Sequence, residues 1–317
     1  MRRISALTIL ALTCALAIGG TARAATYSTI VGIGDQHPEI FTNRYFKSLK
    51  VKKVRYFIPW DAAKHPYQLS LADAYVKAAN DAGAEVLMHI STNDLRNKVG
   101  KLPSTAQYKT WVGRLIKRYE PLGVTEWGVW NEENHQSEET WNHPQAAVNF
   151  FLTMRSICKG CTIVGLDVLD QEGVNHYIDR FFTALGKKNW SKVGIVGIHN
   201  YSDTNRYRST GTSLILKTVR KYDKKASFWL TETGGVASFG KSFPCNTTRQ
   251  AKATKYMFSL AKKFHSDVKR IYNYAFFGTA LSDCKAGSFD AGLVSYDGKH
   301  TRSAYTSFKA QAKSFSR

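Results

Sequence analysis

The chain has 317 residues, enough for one large domain or two small ones, and no segment past its N-terminus approaches the roughly 20 apolar residues of a membrane span. The formal net charge of +21 comes from lysines and arginines scattered without a basic tail or block. No nucleic-acid motif accompanies them, so nucleic acid is not an expected partner. A basic soluble surface is the simpler reading, and attraction to an anionic polymer such as an acidic cell-wall glycan the functional one.

The N-terminus reads as a processing signal. Arg2 and Arg3 precede an apolar run from Ala6 to Gly20, and Ala22-Arg23-Ala24 has the small-x-small form of a cleavage site. Cleavage after Ala24 is expected to leave a secreted chain, residues 25–317, with charge +18, because three arginines and no acid depart. Cys14 leaves with the signal. Cys158, Cys161, Cys245 and Cys284 remain; they allow three pairings, of which Cys158–Cys161 with Cys245–Cys284 is the expected one. A redox or zinc reading of Cys158-Lys159-Gly160-Cys161 is weaker, since that motif closes a helix and has no second C-x-x-C.

From there, short β-branched or aromatic runs alternate with amphipathic helical patterns. Strands are expected at 28–34, 54–60, 85–90, 127–130, 162–168, 194–201, 228–232 and 270–277. Helices are expected at 43–49, 70–82, 144–157, 174–185, 213–222, 248–264 and 302–315, and another begins at the cap Ser104 and is stopped by Pro121 and Gly123. Eight strand–helix units in one chain close most naturally as a single (β/α)8 TIM barrel over residues 25–317. An open doubly wound sheet is the alternative, but after Gly32-Ile33-Gly34 a histidine, His37, stands where a dinucleotide fingerprint wants its third glycine.

Two of these strands end in carboxylates. Trp127-Gly128-Val129-Trp130 runs into Asn131-Glu132-Glu133, and Phe228-Trp229-Leu230-Thr231 runs into Glu232. In a barrel every strand's carboxyl end opens on the same mouth. Two glutamates converging there would have their proton affinities pushed apart, one favouring the acid and the other the anion, as acid/base and nucleophilic chemistry on a glycosidic bond requires. Trp60 and Phe276 are credited to that mouth as sugar-stacking aromatics. Trp229 is assigned to the core, because it precedes Glu232 by an odd number of positions and alternate strand residues face opposite sides. Asp167 and Asp170 read as loop caps.

Trp130-Asn131-Glu132, Thr231-Glu232-Thr233-Gly234 and His199-Asn200-Tyr201 together resemble the retaining glycoside hydrolases of clan A, most closely the family 39 and family 5 types. The resemblance implies a carbohydrate substrate, no metal and no organic cofactor, with a monomer expected. It implies Glu132 as general acid/base, Glu232 as nucleophile, and Asn131 as partner of the sugar 2-hydroxyl. Arg55 would lie beside the nucleophile, Tyr201 would steady the same carboxylate, and His89 and His199 would orient the site. Where the clan often has a tryptophan at the end of strand eight, this chain has Tyr274-Ala275-Phe276-Phe277, which leaves pyranose and furanose substrates both open. A non-catalytic glycan-binding barrel should lack one carboxylate. A metal-dependent barrel hydrolase should carry paired histidines where Gly32-Ile33-Gly34-Asp35 stands.

Overall fold

The computed structural model describes residues 26–92, 100–280 and 284–316; the expected signal, residues 1–24, lies outside them. In chain order the elements are β1 (Tyr27–Gly34), α1 (Arg44–Leu49), β2 (Lys53–Pro59), α2 (Pro66–Asp81), β3 (Glu85–Ser91), α3 (Thr105–Tyr119), β4 (Glu126–Gly128), α4 (Pro144–Ile157), β5 (Thr162–Val164), β6 (Leu166–Leu169) and α5 (Val174–Leu185). Then come β7 (Ile195–His199), α6 (Tyr201–Asn205), α7 (Thr210–Arg220), β8 (Ser227–Thr233), β9 (Ser238–Gly240), α8 (Thr247–Lys263), β10 (Val268–Tyr274), β11 (Gly287–Asp290), α9 (Ser303–Ala312) and β12 (Phe315–Ser316). Ser104 starts α3 with a reciprocal capping box to Gln107, as its sequence position suggests.

The strands form the expected (β/α)8 barrel. Parallel pairing runs β5-β4-β3-β2-β1-β10-β8-β7-β6, and β12 adds a short edge to β1. The expected fifth strand is split at Gly165: β5 pairs with β4 and β6 with β7, so this broken strand closes the ring. With β5 and β6 counted as one split strand, each of the eight barrel strands has a neighbour on both sides, which leaves the barrel without a long exposed edge.

The barrel interior is layered from bottom to top. At the amino ends of the strands, Glu126 is held by Lys53 Nζ at 2.9 Å and by Arg270 Nη2 at 2.8 Å. Above it lies an apolar plug of Leu87, Val164, Trp229 and Tyr272, with the Arg270 guanidinium 3.8 Å from the Trp229 ring centre. The large apolar cluster sits outside the ring, between strands and helices, and includes Trp127, Trp130, Phe150, Phe181 and Phe228. The top layer is polar.

Two expected strands are shortened by side-chain carboxylates. β7 stops at His199, because Asp170 takes the amide hydrogens of Ser202 and Asp203 at 2.9 and 2.6 Å and turns the chain into α6. β10 stops at Tyr274, because Asp35 at the end of β1 takes the amides of Phe276 and Phe277 at 2.9 and 3.0 Å. The cysteines pair as expected, with Cα atoms 5.5 Å apart for Cys158–Cys161 and 5.7 Å for Cys245–Cys284.

Candidate active site

Past β4 the chain keeps bonding to its neighbours: Val129 N–H reaches Val164 O at 3.1 Å and Asn131 N–H reaches Ile90 O at 2.8 Å. Trp130 turns outward onto Phe150 and gives its indole N–H to Glu138 Oε2 at 2.8 Å. Glu132 then adopts φ +43°, a left-handed conformation that costs a non-glycine residue on the order of 1–3 kcal/mol. Its amide is fixed there by Asp167 Oδ2 at 3.2 Å, and the Glu133 amide by Asp167 O at 2.8 Å. The strained backbone swings Glu132 over the barrel mouth and points Glu133 away from it. Glu133 is fully buried, its carboxyl oxygens find no partner among the described residues, and burial raises its proton affinity well above the ordinary range.

Glu232 arrives differently. β8 carries one extra residue, since Trp229 and Glu232 lie opposite Gly197 and His199, and Leu230 and Thr233 lie opposite Ile271 and Asn273. This bulge breaks the alternation of faces. Trp229 is core, as expected, but in the barrel plug, on the same inner side as Glu232.

The two carboxylates meet. One oxygen of Glu132, one of Glu232 and a ring nitrogen of His199 lie within 4.8 Å of one another. The Glu132 and Glu232 side chains are 17% and 11% exposed, so both are shielded yet reachable. Arg55, at 1% exposure, donates from Nη1 to Glu232 Oε2 at 2.7 Å, from Nη2 to Asn131 Oδ1 at 2.5 Å, and from Nε to His89 Nδ1 at 3.2 Å. Tyr201 donates to Glu232 Oε1 at 3.0 Å. His89 gives its other nitrogen to Trp130 O at 3.2 Å, and burial lowers its pKa to about 3, so it is a neutral brace for Arg55.

His199 is the opposite case. Nδ1 lies 2.9 Å from Glu132 Oε1 and Nε2 lies 2.9 Å from Asp167 Oδ2. Burial disfavours its charge, but Asp167, Glu232 and Glu132 together raise its pKa to about 10. Both nitrogens then donate. The same contacts act on the acids. Burial would raise Glu132, but the His199 hydrogen bond and charge, with His135, hold it below the ordinary value. Burial would likewise raise Asp167, and the charge and hydrogen bond of His199, with the charge of Arg55, hold it far below.

Several contributors were not legible as site residues. Asp167, expected as a loop cap, is the buried anion that fixes Glu132's backbone, bonds His199 and accepts from Thr231 Oγ1. Its signal was an acid between the apolar Leu166 and Val168 of a buried strand. Asp170 is the cap it was expected to be. Glu138 accepts from Asn131 Nδ2 at 3.4 Å, and burial, then Glu132 and Glu139, push its pKa to about 8. The mouth aromatics also need correcting. Trp60 is 4% exposed in the outer core, and Phe276 is fully buried against Phe46 and Phe277, because the Asp35 cap turns it inward. The cleft, about 690 Å³, is lined instead by Phe57, Tyr201, Phe239, Phe243, Tyr274 and Phe289 around Asn131, Glu132, His135 and Glu232.

Room for the polar layer comes from glycines in the strands. A Cβ at Gly128 would enter the His89 ring, and one at Gly197 would meet the Asp167 carboxylate and lie 2.7 Å from Thr231 Oγ1. Gly197→Ala is therefore expected to cost about 1–3 kcal/mol by overpacking and to lower activity by shifting Asp167. Thermal melting and turnover of the variant check this.

An eight-unit barrel with two converging glutamates at its carboxyl-end mouth, set among an arginine, a histidine and a tyrosine, is the arrangement of a clan A TIM-barrel glycoside hydrolase. Residues 129–306 match the glycosyl hydrolase catalytic core, and the chain belongs to that family. A search of curated proteins returns no match. Among solved structures, xylanase XynB from Paenibacillus barcinonensis aligns with a TM-score of 0.63 at 13% identity, over 92% of this chain and 99% of that one. The family 51 α-L-arabinofuranosidase AbfB from Bifidobacterium longum aligns with a TM-score of 0.59 at 12% identity, over 92% and 74%. A family 1 β-glucosidase from Thermotoga maritima gives 0.56 at 13%, over 92% and 98%. Families 51 and 1 are not the families 39 and 5 that the motifs resemble, and at these identities the likeness shows the fold alone.

Proposed function

We propose that this glycoside hydrolase is a secreted, retaining enzyme that cleaves an extracellular or cell-wall polysaccharide by double displacement. Glu232 attacks the anomeric carbon while Glu132 protonates the leaving oxygen. Glu132 then takes a proton from the water that releases the sugar from Glu232. The observation that carries this reading is the approach of the two carboxylates to within 4.8 Å across an open cleft. That spacing suits covalent capture, with carboxyls about 5–5.5 Å apart, better than the roughly 6.5–9.5 Å that leaves room for an inverting water.

The surroundings fit the assigned roles. Glu232 spends one oxygen on Arg55 and the other on Tyr201, which aims it. Asn131, held by Arg55 and Glu138, stands where it could bond the 2-hydroxyl of the attacked sugar. Secretion is supported by the two disulfides and by the leader-like sequence of residues 1–24. Incubation with an activated 2-fluoro glycoside followed by peptide mapping tests the chemistry. A sugar adduct on Glu232 is expected; product released with inverted configuration and no adduct would remove the double displacement.

A further inference from the structure

Resting on that reading of the cleft, we infer that its rim holds a subsite for an acidic sugar, one ring out from the scissile bond, with a uronate carboxylate on Arg206.

The subsite begins at the nucleophile. Tyr201, bonded to Glu232, packs edge-on against Phe289 at 5.3 Å, and Phe289 packs edge-on against Phe239 at 5.5 Å. A path of aromatic rings thus leads from the reacting carboxylate to the rim. Phe239 and Phe289 sit on a two-stranded flap, β9 paired antiparallel with β11. Phe239 is 51% exposed, a high value for a phenylalanine beside a catalytic cleft. Aromatic faces of this kind suit the C–H surface of a sugar ring.

The flap is held in place before any ligand arrives. Cys245–Cys284 joins the segments that follow β9 and precede β11, and Ala237 N–H bonds Asp290 O at 2.7 Å. At the base, Asp290 receives Arg302 in a two-point ion pair at 2.6 and 2.9 Å. Preorganisation of this sort lowers the ordering cost of binding.

Charge enters at the same place. Phe239 and Phe243 exchange amide–carbonyl hydrogen bonds at 2.8 and 3.0 Å. The Arg206 guanidinium lies 5.1 Å from the Phe243 ring centre, and Arg206 lines the cleft. Arg208, also on the cleft wall, is engaged by Ser202 Oγ at 2.6 Å and by Asp203 at 3.5 Å. Arg206 differs: its guanidinium has no hydrogen-bond acceptor or ion-pair partner among the described residues. It is stacked, oriented and unspent. Its planar fork matches a carboxylate bidentately, better than a tetrahedral neutral hydroxyl array. The cleft wall sets one exposed acid, Glu172, against the two arginines. The charge expected of the chain after cleavage, +18, adds long-range attraction for an anionic polymer.

The test compares matched polymers. Glucuronoxylan, polygalacturonate and alginate are each offered beside their carboxyl-reduced forms, in which the uronates become neutral sugars with linkages kept, and a sulfated galactan is offered beside its desulfated form. The wild-type enzyme is expected to prefer at least one native uronate polymer over its reduced form by tenfold or more in kcat/KM. Arg206→Gln is expected to erase most of that preference, and Phe239→Ala to weaken native and reduced forms alike. Binding of the same polymers to Glu232→Gln, followed by affinity electrophoresis, reads the subsite without turnover. Preference for the reduced forms, response to sulfate alone, equal losses on both members of a pair in Arg206→Gln, or no binding of any uronate polymer would overturn the inference. Undiminished hydrolysis by Glu232→Gln would instead overturn the double displacement, and the two failures are separable.

Discussion

Glu232→Ala is expected to lose at least about 10⁴-fold in kcat, the scale of removing a covalent nucleophile, and azide is expected to restore turnover with inverted product. The space left by the side chain lies beside Arg55 and Tyr201, and a small anion can occupy it. Glu132→Ala should behave differently. It removes the proposed proton donor, so substrates with poor leaving groups should suffer far more than aryl glycosides whose leaving group needs no proton. Parallel rate measurements on the two substrate types check the pair. Equal residual activity of both variants on all substrates would break the assignment of distinct roles. Because Glu132 and Glu232 are each bonded to buried partners, melting curves of the variants are needed alongside, so that lost chemistry is not confused with lost fold.

The barrel was readable because its information is periodic. Eight apolar runs separated by helical patterns leave one economical closure, and the strand ends then had to share a mouth. Glu132, Glu232, Asn131, His89, His199 and Tyr201 reach one network for that reason, each at or near a strand's carboxyl end, and Arg55, early in β2, reaches it with its long side chain. What the sequence hid depends on single-residue geometry. Alternation predicted opposite faces for Trp229 and Glu232, and the extra residue in β8 puts both inside. Phe276 read as a mouth aromatic, but the Asp35 carboxylate claims its amide and that of Phe277, and the turn buries the ring. The cleft is lined instead by Phe239 and Phe289, which lie on a flap outside the eight-unit pattern. Asp167 was missed because a lone acid near a strand end looks like a cap until its neighbours are known.

Asp167 also carries the second large expected effect. At neutral pH the Glu132–His199 pair holds one proton, placed on His199 by Asp167 and the two glutamates, with His199 Nδ1 2.9 Å from Glu132 Oε1. A leaving oxygen that draws the proton from Glu132 can thus be supplied through His199, and the pair titrates as a unit. With His199 raised to about 10, the alkaline limb of kcat/KM for poor leaving groups is expected far above the ordinary glutamate range. Asp167→Asn removes the largest of the influences that raise His199, so the limb should move down toward neutrality. If Glu132 acted alone, its lowered proton affinity would put the wild-type limb in the acid range and Asp167→Asn would not bring it down from high pH. Stability has a matching signature. His199, raised above its unfolded value, stabilises the fold fully below that value, and this contribution is lost as pH climbs through about 10. Asp167, lowered, contributes above its unfolded value and loses that contribution as pH falls. Breaking such a buried pair costs about 3–5 kcal/mol, or roughly 5–8 °C in Tm for a barrel of this size. A single set of melting curves and pH–rate profiles on Asp167→Asn therefore reads both consequences: an unchanged alkaline limb would remove His199 from proton delivery, and an unchanged Tm would remove Asp167 as the anchor of the top layer.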